Sequence, residues 1–448
     1  MPSGQRKQTP TQKRQLKRVL NAVLGGAMVV GGAIGVGILR TPGIVAGQLG
    51  QPVLILAVWV AGGLLALLGA NCIAEMAAAL PQAGGPYVYA KRAFGPVGGI
   101  ALGWADWLIS VTALATLSVT IAEYVIGGTD ALPTHLFAVG LIAAFALLNW
   151  FGLEVGARTQ QILSALKVAG LIVLASLAIL VGRNHELNAA TPVQGGYGGI
   201  LLLVSAVVII HETYAGWNAS VYFAEEDHQP AANVPKALFW GIGAIMFAYV
   251  LFNAGLLAIL PMDVLSSSKL PAAEAAERIF GTSGHMVVTL FAVISLCGIL
   301  NVIVMFTPRI VFAMSRDGLL PSPLSALNRA AVPGVAMIAS IVPAAVLAAG
   351  LTFETLFVIT AFLGLATNVA AFASFFALRF WEPELKRPFR AWGYPWLPLL
   401  AMLVSVGLLG TFVVADPVSS GIAVAAMLLA WPLFGLALKW RSSRADPV

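Results

Sequence analysis

Runs of about 20 apolar residues recur along the chain from residue 20 to residue 440, separated by short polar stretches. A helix rises about 1.5 Å per residue, so each run is long enough to cross a hydrocarbon core of about 30 Å. The pattern predicts twelve such spans, at 20–45, 53–80, 97–126, 133–151, 157–181, 198–224, 235–260, 286–315, 333–350, 353–380, 394–414 and 419–440. Gly-Gly-Thr-Asp at 127–130 and Ala-Asp-Pro at 415–417 are the kind of punctuation that ends helices. The predicted fold is an all-α polytopic membrane protein.

Two spans are interrupted from within. Gly31, Gly32, Gly35 and Gly37 crowd the centre of the first. Glycine is a poor residue for a helix interior, because it loses the most backbone freedom on ordering. Such a stretch predicts a helix that breaks at mid-depth, which lipid tolerates only where the freed backbone is buried or lines a cavity. In the sixth span His211, Glu212, Thr213, Ala215, Gly216 and Asn218 bring polar and small residues to a similar depth. If spans 1–5 and 6–10 are inverted repeats, the two interruptions occupy corresponding places, the pattern that marks a transporter site. This inference rests on position, since the halves share little sequence.

Composition narrows the class. The 448 residues are 59% hydrophobic and 10% charged, with a mean hydropathy of +0.90, against about 25% charged in a soluble domain. The N-terminus is polar and basic and leads into a span rather than a cleavage site, so no signal peptide is expected. With the N-terminus inside, the cytoplasmic segments hold twenty of the 25 lysines and arginines, and the outer loops only Arg183, Lys269 and Arg278. That bias places both termini in the cytoplasm and reads the net charge of +6 as membrane orientation rather than a nucleic-acid footprint. Cys72 and Cys297 lie in apolar runs and the five histidines are scattered. No disulfide framework, metal or cofactor is therefore expected, and no nucleophile–base pair suggests an enzyme.

Four blocks resemble a known family. Gly35-Val36-Gly37-Ile38 is similar to the first-helix signature of the amino acid–polyamine–organocation superfamily. Ala74-Glu75, Pro81, Gly84-Gly85, Tyr87, Tyr89 and Phe94-Gly95 resemble the block after its second helix. Tyr214-Ala215-Gly216-Trp217-Asn218, with Glu225-Glu226, Pro230 and Val234-Pro235, resembles the sixth helix and the loop after it. Arg309, Ser315-Arg316-Asp317-Gly318 and Leu320-Pro321 resemble the block ending the eighth. The four stand in order over about 20–390, and the L-type amino acid transporters and their bacterial relatives look closest. The resemblance implies a five-plus-five inverted repeat with broken helices 1 and 6 and two extra C-terminal helices. The expected division is a basic tail (1–18), first repeat (19–182), second repeat (183–390), helices 11 and 12 (391–440) and a tail (441–448). It also implies transport of amino acids or related amines by alternating access.

The expected substrate site comprises Ala33, Ile34, Gly35, Val36, Gly37, Glu212, Thr213, Tyr214, Ala215 and Gly216. A half-helix starting at Val36–Ile38 aims unpaired N–H groups and a positive dipole end at a carboxylate. The ends of the preceding half-helix and of the first half of span 6 offer carbonyls to an α-ammonium group. The residues alone also allow Gly31-x-x-x-Gly35 to be a small-residue packing face; the resemblance favours binding. Lys167, Asp106, Glu212 and Trp217 are the coupling or gating candidates. An ionisable residue at the depth of Lys167 costs about 2.5–3.5 kcal/mol on insertion scales and calls for a partner, for which Asp106 in span 3 is the candidate. The resemblance implies that the Lys167 ammonium stands where sodium-coupled relatives place an ion, so transport is expected to be sodium-independent. Glu212 departs from the family pattern. It reads as a selector for a cationic substrate, as a group that titrates in a proton-coupled cycle, or as a polar packing contact.

Packing is the better reading for Ser110, Thr112, Ser295 and Asn301. Glu225 and Glu226 are expected near an inner gate, with Arg309 and Arg316 as partners, and Phe94-Gly95-Pro96 is expected to shape a turn. The expected function is a secondary amino acid carrier in the cell membrane, an exchanger or proton symporter. The alternatives are a polyamine or cationic amino acid exchanger and a transporter-like sensor, for which tails of this length leave no signalling domain. A small-molecule amino acid and the bilayer are the expected partners. An accessory subunit cannot be inferred, and no extracellular cysteine is available to link one.

Overall fold

The computed structural model describes residues 15–126, 132–182, 197–350, 353–415 and 417–428, together with 432 and 435. Asn21 opens the first helix: its side-chain oxygen accepts from the Val23 and Leu24 N–H groups at 3.0 Å, satisfying two of the donors a helix start leaves unpaired. Helix α1 (Ala22–Ala33) stops at the glycine cluster and α2 (Gly37–Leu49) resumes after a bend of 53°. Then come α3 (Pro52–Ala79), α4 (Pro86–Ile126), α5 (Leu132–Trp150), α6 (Leu153–Val181) and α7 (Tyr197–Thr213). A 3-10 helix (Ala219–Glu226) follows α7 after a short turn. Next are α8 (Pro230–Ile259), α9 (Met262–Ser267), α10 (Pro271–Phe280) and α11 (Gly284–Arg316). The chain continues through α12 (Gly334–Gly350), α13 (Phe353–Trp381), α14 (Trp396–Ala415) and α15 (Pro417–Leu428).

Among the described residues seven helices are long and apolar enough to cross a membrane, or eight when the bent α1–α2 pair is one span. Large apolar side chains such as Leu180, Trp240, Phe247 and Val346 stand exposed on outward faces, as lipid-facing positions require. The protein is a multi-pass membrane protein. Part of the predicted last span lies outside the described residues. The helices share one main core and two smaller apolar clusters, with α13 packed on α4, α3 on α8, and α1 on both α6 and α8.

Three local features depart from simple spans or refine them. Gly95, at φ 72° and ψ −167°, kinks α4, so the Phe94-Gly95-Pro96 turn falls where it was expected. The second half of span 6 is a 3-10 rather than an α-helix. The segment between α8 and α11, read from sequence as a plain outer loop, instead folds into α9 and α10. They pack on α2 because α2 presents glycine there: a Cβ on Gly43 would lie 2.4 Å from the Ser268 carbonyl oxygen.

Candidate functional site

The first break is short. Ile34 is extended after the last turn of α1, and Val36 caps α2, so the N–H groups of the α2 first turn begin at mid-span. The second break follows Thr213, where Tyr214 and Ala215 turn back on the end of α7 and Gly216 takes φ +90°. The two breaks touch backbone to backbone. A Cβ on Gly216 would fall 2.4 Å from the Gly32 oxygen, and one on Gly32 would fall 2.6 Å from the Gly216 oxygen. Only glycine at both positions permits this approach.

Side chains from neighbouring helices close around the breaks. Thr213 of α7 lies across the start of α2, its hydroxyl 3.1 Å from that of Thr41 and its methyl 3.2 Å from where a Gly37 Cβ would stand. The Tyr249 hydroxyl of α8 lies 3.2 Å from both the Ala33 and the Thr213 carbonyl oxygens. Since it has one hydrogen, each carbonyl keeps acceptor capacity. Tyr214 turns away to donate to the Trp59 carbonyl at 3.0 Å and packs among Trp59 and Tyr249. Trp217 is buried against Gly69 and lines a small cavity with His211, Asn368 and Phe372. Glu212 and Ala215 are exposed, and among the described residues Glu212 has no ion-pair partner.

Lys167 is completely buried. Its ammonium donates to the Gly31 oxygen at 2.7 Å and the Ile34 oxygen at 2.9 Å, two carbonyls that the break deprives of helical partners. Space for it is provided by Gly298 of α11, where a Cβ would lie 2.7 Å from the ammonium nitrogen. The expected pairing with Asp106 is not made. Lys167 faces α1, whereas Asp106 on α4 faces the 3-10 helix and accepts the Tyr222 hydroxyl hydrogen at 2.8 Å. The other Asp106 carboxylate oxygen is buried, with no hydrogen-bond partner among the described residues. The structure therefore brings Ala33–Gly37, Thr213, Gly216 and Lys167 to one place, and leaves Tyr214, Trp217 and Asp106 around it.

One end of the bundle is tied by charge. Arg309 grips Glu226 with two hydrogen bonds, at 2.5 and 3.0 Å, both side chains buried and the guanidinium over the Phe223 ring. Arg316 reaches Glu225 at 2.7 Å, and Lys91 and Tyr87 both reach Asp317 at 2.8 Å. The partners expected for Glu225 and Glu226 are those observed. Sequence reading missed the role of Glu75, a buried carboxylate that accepts from Arg379, Arg387 and the Ala391 N–H and so fixes the 382–392 loop to α3. Its Ala-Glu motif was visible, but nothing in it named partners more than 300 positions away.

A family model described as "Amino acid permease" matches residues 26–436, nearly the whole chain, including both breaks, Lys167 and the ion pairs. The chain belongs to the amino acid permease family. The permease is 27% identical to Asc-type amino acid transporter 1 of Mus musculus over 96% of this chain and 83% of that one. It is 27% identical to Large neutral amino acids transporter small subunit 2 of Homo sapiens, over 95% and 81%. With the Serine/threonine exchanger SteT of Bacillus subtilis (strain 168) it shares 25% identity over 95% of this chain and 98% of that one. This permease is thus an amino acid transporter rather than an enzyme, and its substrate is a small molecule.

Proposed function

We propose that this permease carries amino acids by alternating access through a site where its first and sixth spans break. In this reading the chain has twelve spans. Two inverted repeats, 19–182 and 183–390, are followed by spans 11 and 12 (391–440), with cytoplasmic tails at 1–18 and 441–448. The membrane is the cell membrane, and the charge asymmetry between loops supports this orientation. The observation that carries the reading is the direct contact of the two breaks at Gly32 and Gly216. The substrate carboxylate binds the N–H groups at the start of α2, from Gly35 to Gly37, where the helix dipole favours an anion. The ammonium group binds the Ala33 and Thr213 carbonyls, which share one Tyr249 hydrogen.

Lys167 supplies a fixed positive charge to carbonyls at which a sodium ion would otherwise have to bind, so transport is sodium-independent. In proteoliposomes, uptake of a labelled neutral amino acid is expected to be unchanged when external sodium is replaced by choline. Collapse of uptake in choline would refute this assignment. Counterflow with and without internal amino acid then separates exchange from proton symport. The names of the relatives, among them a serine/threonine exchanger and a carrier of large neutral amino acids, favour a neutral substrate and exchange. One observation favours a second reading, a cationic amino acid exchanger: Glu212 stands exposed beside the α7 break, with no ion-pair partner among the described residues.

A further inference from the structure

Behind Lys167 lies a buried chain of polar side chains that the site itself does not account for. On α6, Gln160, Ser164 and Lys167 fall at successive turns of one face. Their targets on α1 climb in parallel: Ser164 donates to the Ala27 oxygen at 2.7 Å, and Lys167 to those of Gly31 and Ile34. Gln160 donates to the Ser164 hydroxyl at 3.3 Å and accepts from Asn301 of α11 at 2.8 Å. Asn301 in turn accepts from Asn149 of α5 at 2.9 Å, and its own amide also reaches the Gly156 oxygen at 3.2 Å. Asn149, Gln160, Ser164, Lys167 and Asn301 are between 0% and 4% exposed. Two glycines exist to admit the chain: a Cβ on Gly31 would fall 1.6 Å from the Gln160 amide nitrogen, and one on Gly156 2.0 Å from the Asn149 oxygen.

We propose that Asn301, acting through Gln160 and backed by Asn149, is a positioning residue for transport: it sets where the Lys167 face of α6 holds α1. The geometry explains why a polar chain is kept in a membrane core. Amide side chains in a low-dielectric interior must be satisfied by one another or by nearby backbone carbonyls, as here, so the chain has few alternative arrangements. Its end, α6, bonds the Ala27 and Gly31 carbonyls of α1 and that of Ile34 just after it. These hydrogen bonds hold one side of α1 by its backbone, while Met28 and Val29 on α1 are buried in the apolar core. Asn301 and Asn149 come from α11 and α5, helices distinct from the broken pair, so the chain anchors the mobile half-span to the surrounding frame. The inference rests on the alternating-access reading and takes α1 as an element that moves in it.

The test uses the full chain with Cys72 and Cys297 replaced by alanine and a reporter cysteine at Met28, which is fully buried on α1. Maleimide labelling of Met28→Cys reports release of α1, and proteoliposome counterflow reports turnover per folded molecule. Asn301→Ala and Gln160→Ala are each expected to raise the labelling rate about tenfold and to lower turnover about tenfold. The double variant should be no worse than either single, because both cut one chain. Val302→Ala, at an equally buried neighbour on α11, should leave both readouts within about twofold. Native labelling in Asn301→Ala, or a Val302→Ala effect of the same size, overturns the proposal. Should Asn301→Ala fail to fold, Gln160→Ala carries the same two outcomes. If labelling in the unsubstituted background is untouched by saturating substrate, the moving-α1 reading itself fails, whatever Asn301 does.

Discussion

At the scale of single residues, the site depends on glycine at two positions for different reasons. Gly216 combines φ +90°, which an L side chain resists, with the 2.4 Å approach to the Gly32 oxygen. Gly216→Ala must therefore pry the two breaks apart. It is expected to abolish uptake and to lower the thermal midpoint of the purified protein by several degrees. Gly243→Ala on α8 meets no atom within 4 Å and gains helix propensity, so midpoint and uptake should hold or improve. Equal effects of the two substitutions on uptake would remove the breaks from the mechanism. Which glycines matter was half legible in the sequence. The cluster at 31–37 announced a break, but Gly298 sits alone in an apolar run and Gly156 among polar residues at a helix start, and only the packed neighbours reveal what they admit. The partner of Lys167 was illegible for a related reason. Sequence invites a search for a carboxylate, whereas the acceptors are backbone carbonyls, which every residue carries and only a broken helix leaves free.

At the scale of elements, both broken spans were readable because a mid-depth run of glycine or polar residues contradicts the continuous apolar pattern around it. That the second half of span 6 winds as a 3-10 helix was not, since Ala219–Glu226 has no periodicity that separates the two forms. α10 escaped because its apolar face is made of alanines, four of them buried, which attract little notice until the glycines of α2 are seen nearby. The 3-10 helix is held at its far end by the buried Glu226–Arg309 pair. Removing one member of a buried pair leaves an uncompensated charge and costs about 3–5 kcal/mol. An exposed pair one helical turn apart, such as Arg158–Glu154, is worth about 0.3–0.5 kcal/mol. Arg309→Ala should thus destabilise the protein severely and Arg158→Ala barely, as thermal unfolding in detergent would read. Arg309→Met together with Glu226→Leu, which removes both charges and keeps the volume, is expected to recover most of the lost stability. Failure of that recovery would mean that the pair holds more than its own charge balance.

At the scale of the whole molecule, α1 and the 3-10 helix, one half of each broken span, are fastened to each other at both ends. Gly32 meets Gly216 at mid-span, and at the base the Val19 and Leu20 N–H groups both donate to the Glu226 oxygen while His228 donates back to Leu20. A ligand that spans the breaks joins this unit to α2 and α7, so binding should stabilise the whole chain rather than one helix. At a concentration a hundredfold above its Kd a ligand adds about 2.7 kcal/mol by mass action, enough to see as a shift in thermal midpoint. A screen of all amino acids and common polyamines follows from this, with Glu212 as its discriminating residue. If the carboxylate at α2 is the common handle, amino acids shift the midpoint and diamines lacking a carboxylate do not. If Glu212 faces the substrate side chain, lysine, ornithine or arginine should stabilise the native protein, and Glu212→Gln should erase that shift while sparing any shift by serine or threonine. Stabilisation by neutral amino acids alone, unchanged in Glu212→Gln, would place Glu212 outside selectivity. A midpoint raised by putrescine as strongly as by any amino acid would overturn the carboxylate assignment at Gly35–Gly37, because nothing in that ligand could use the start of α2.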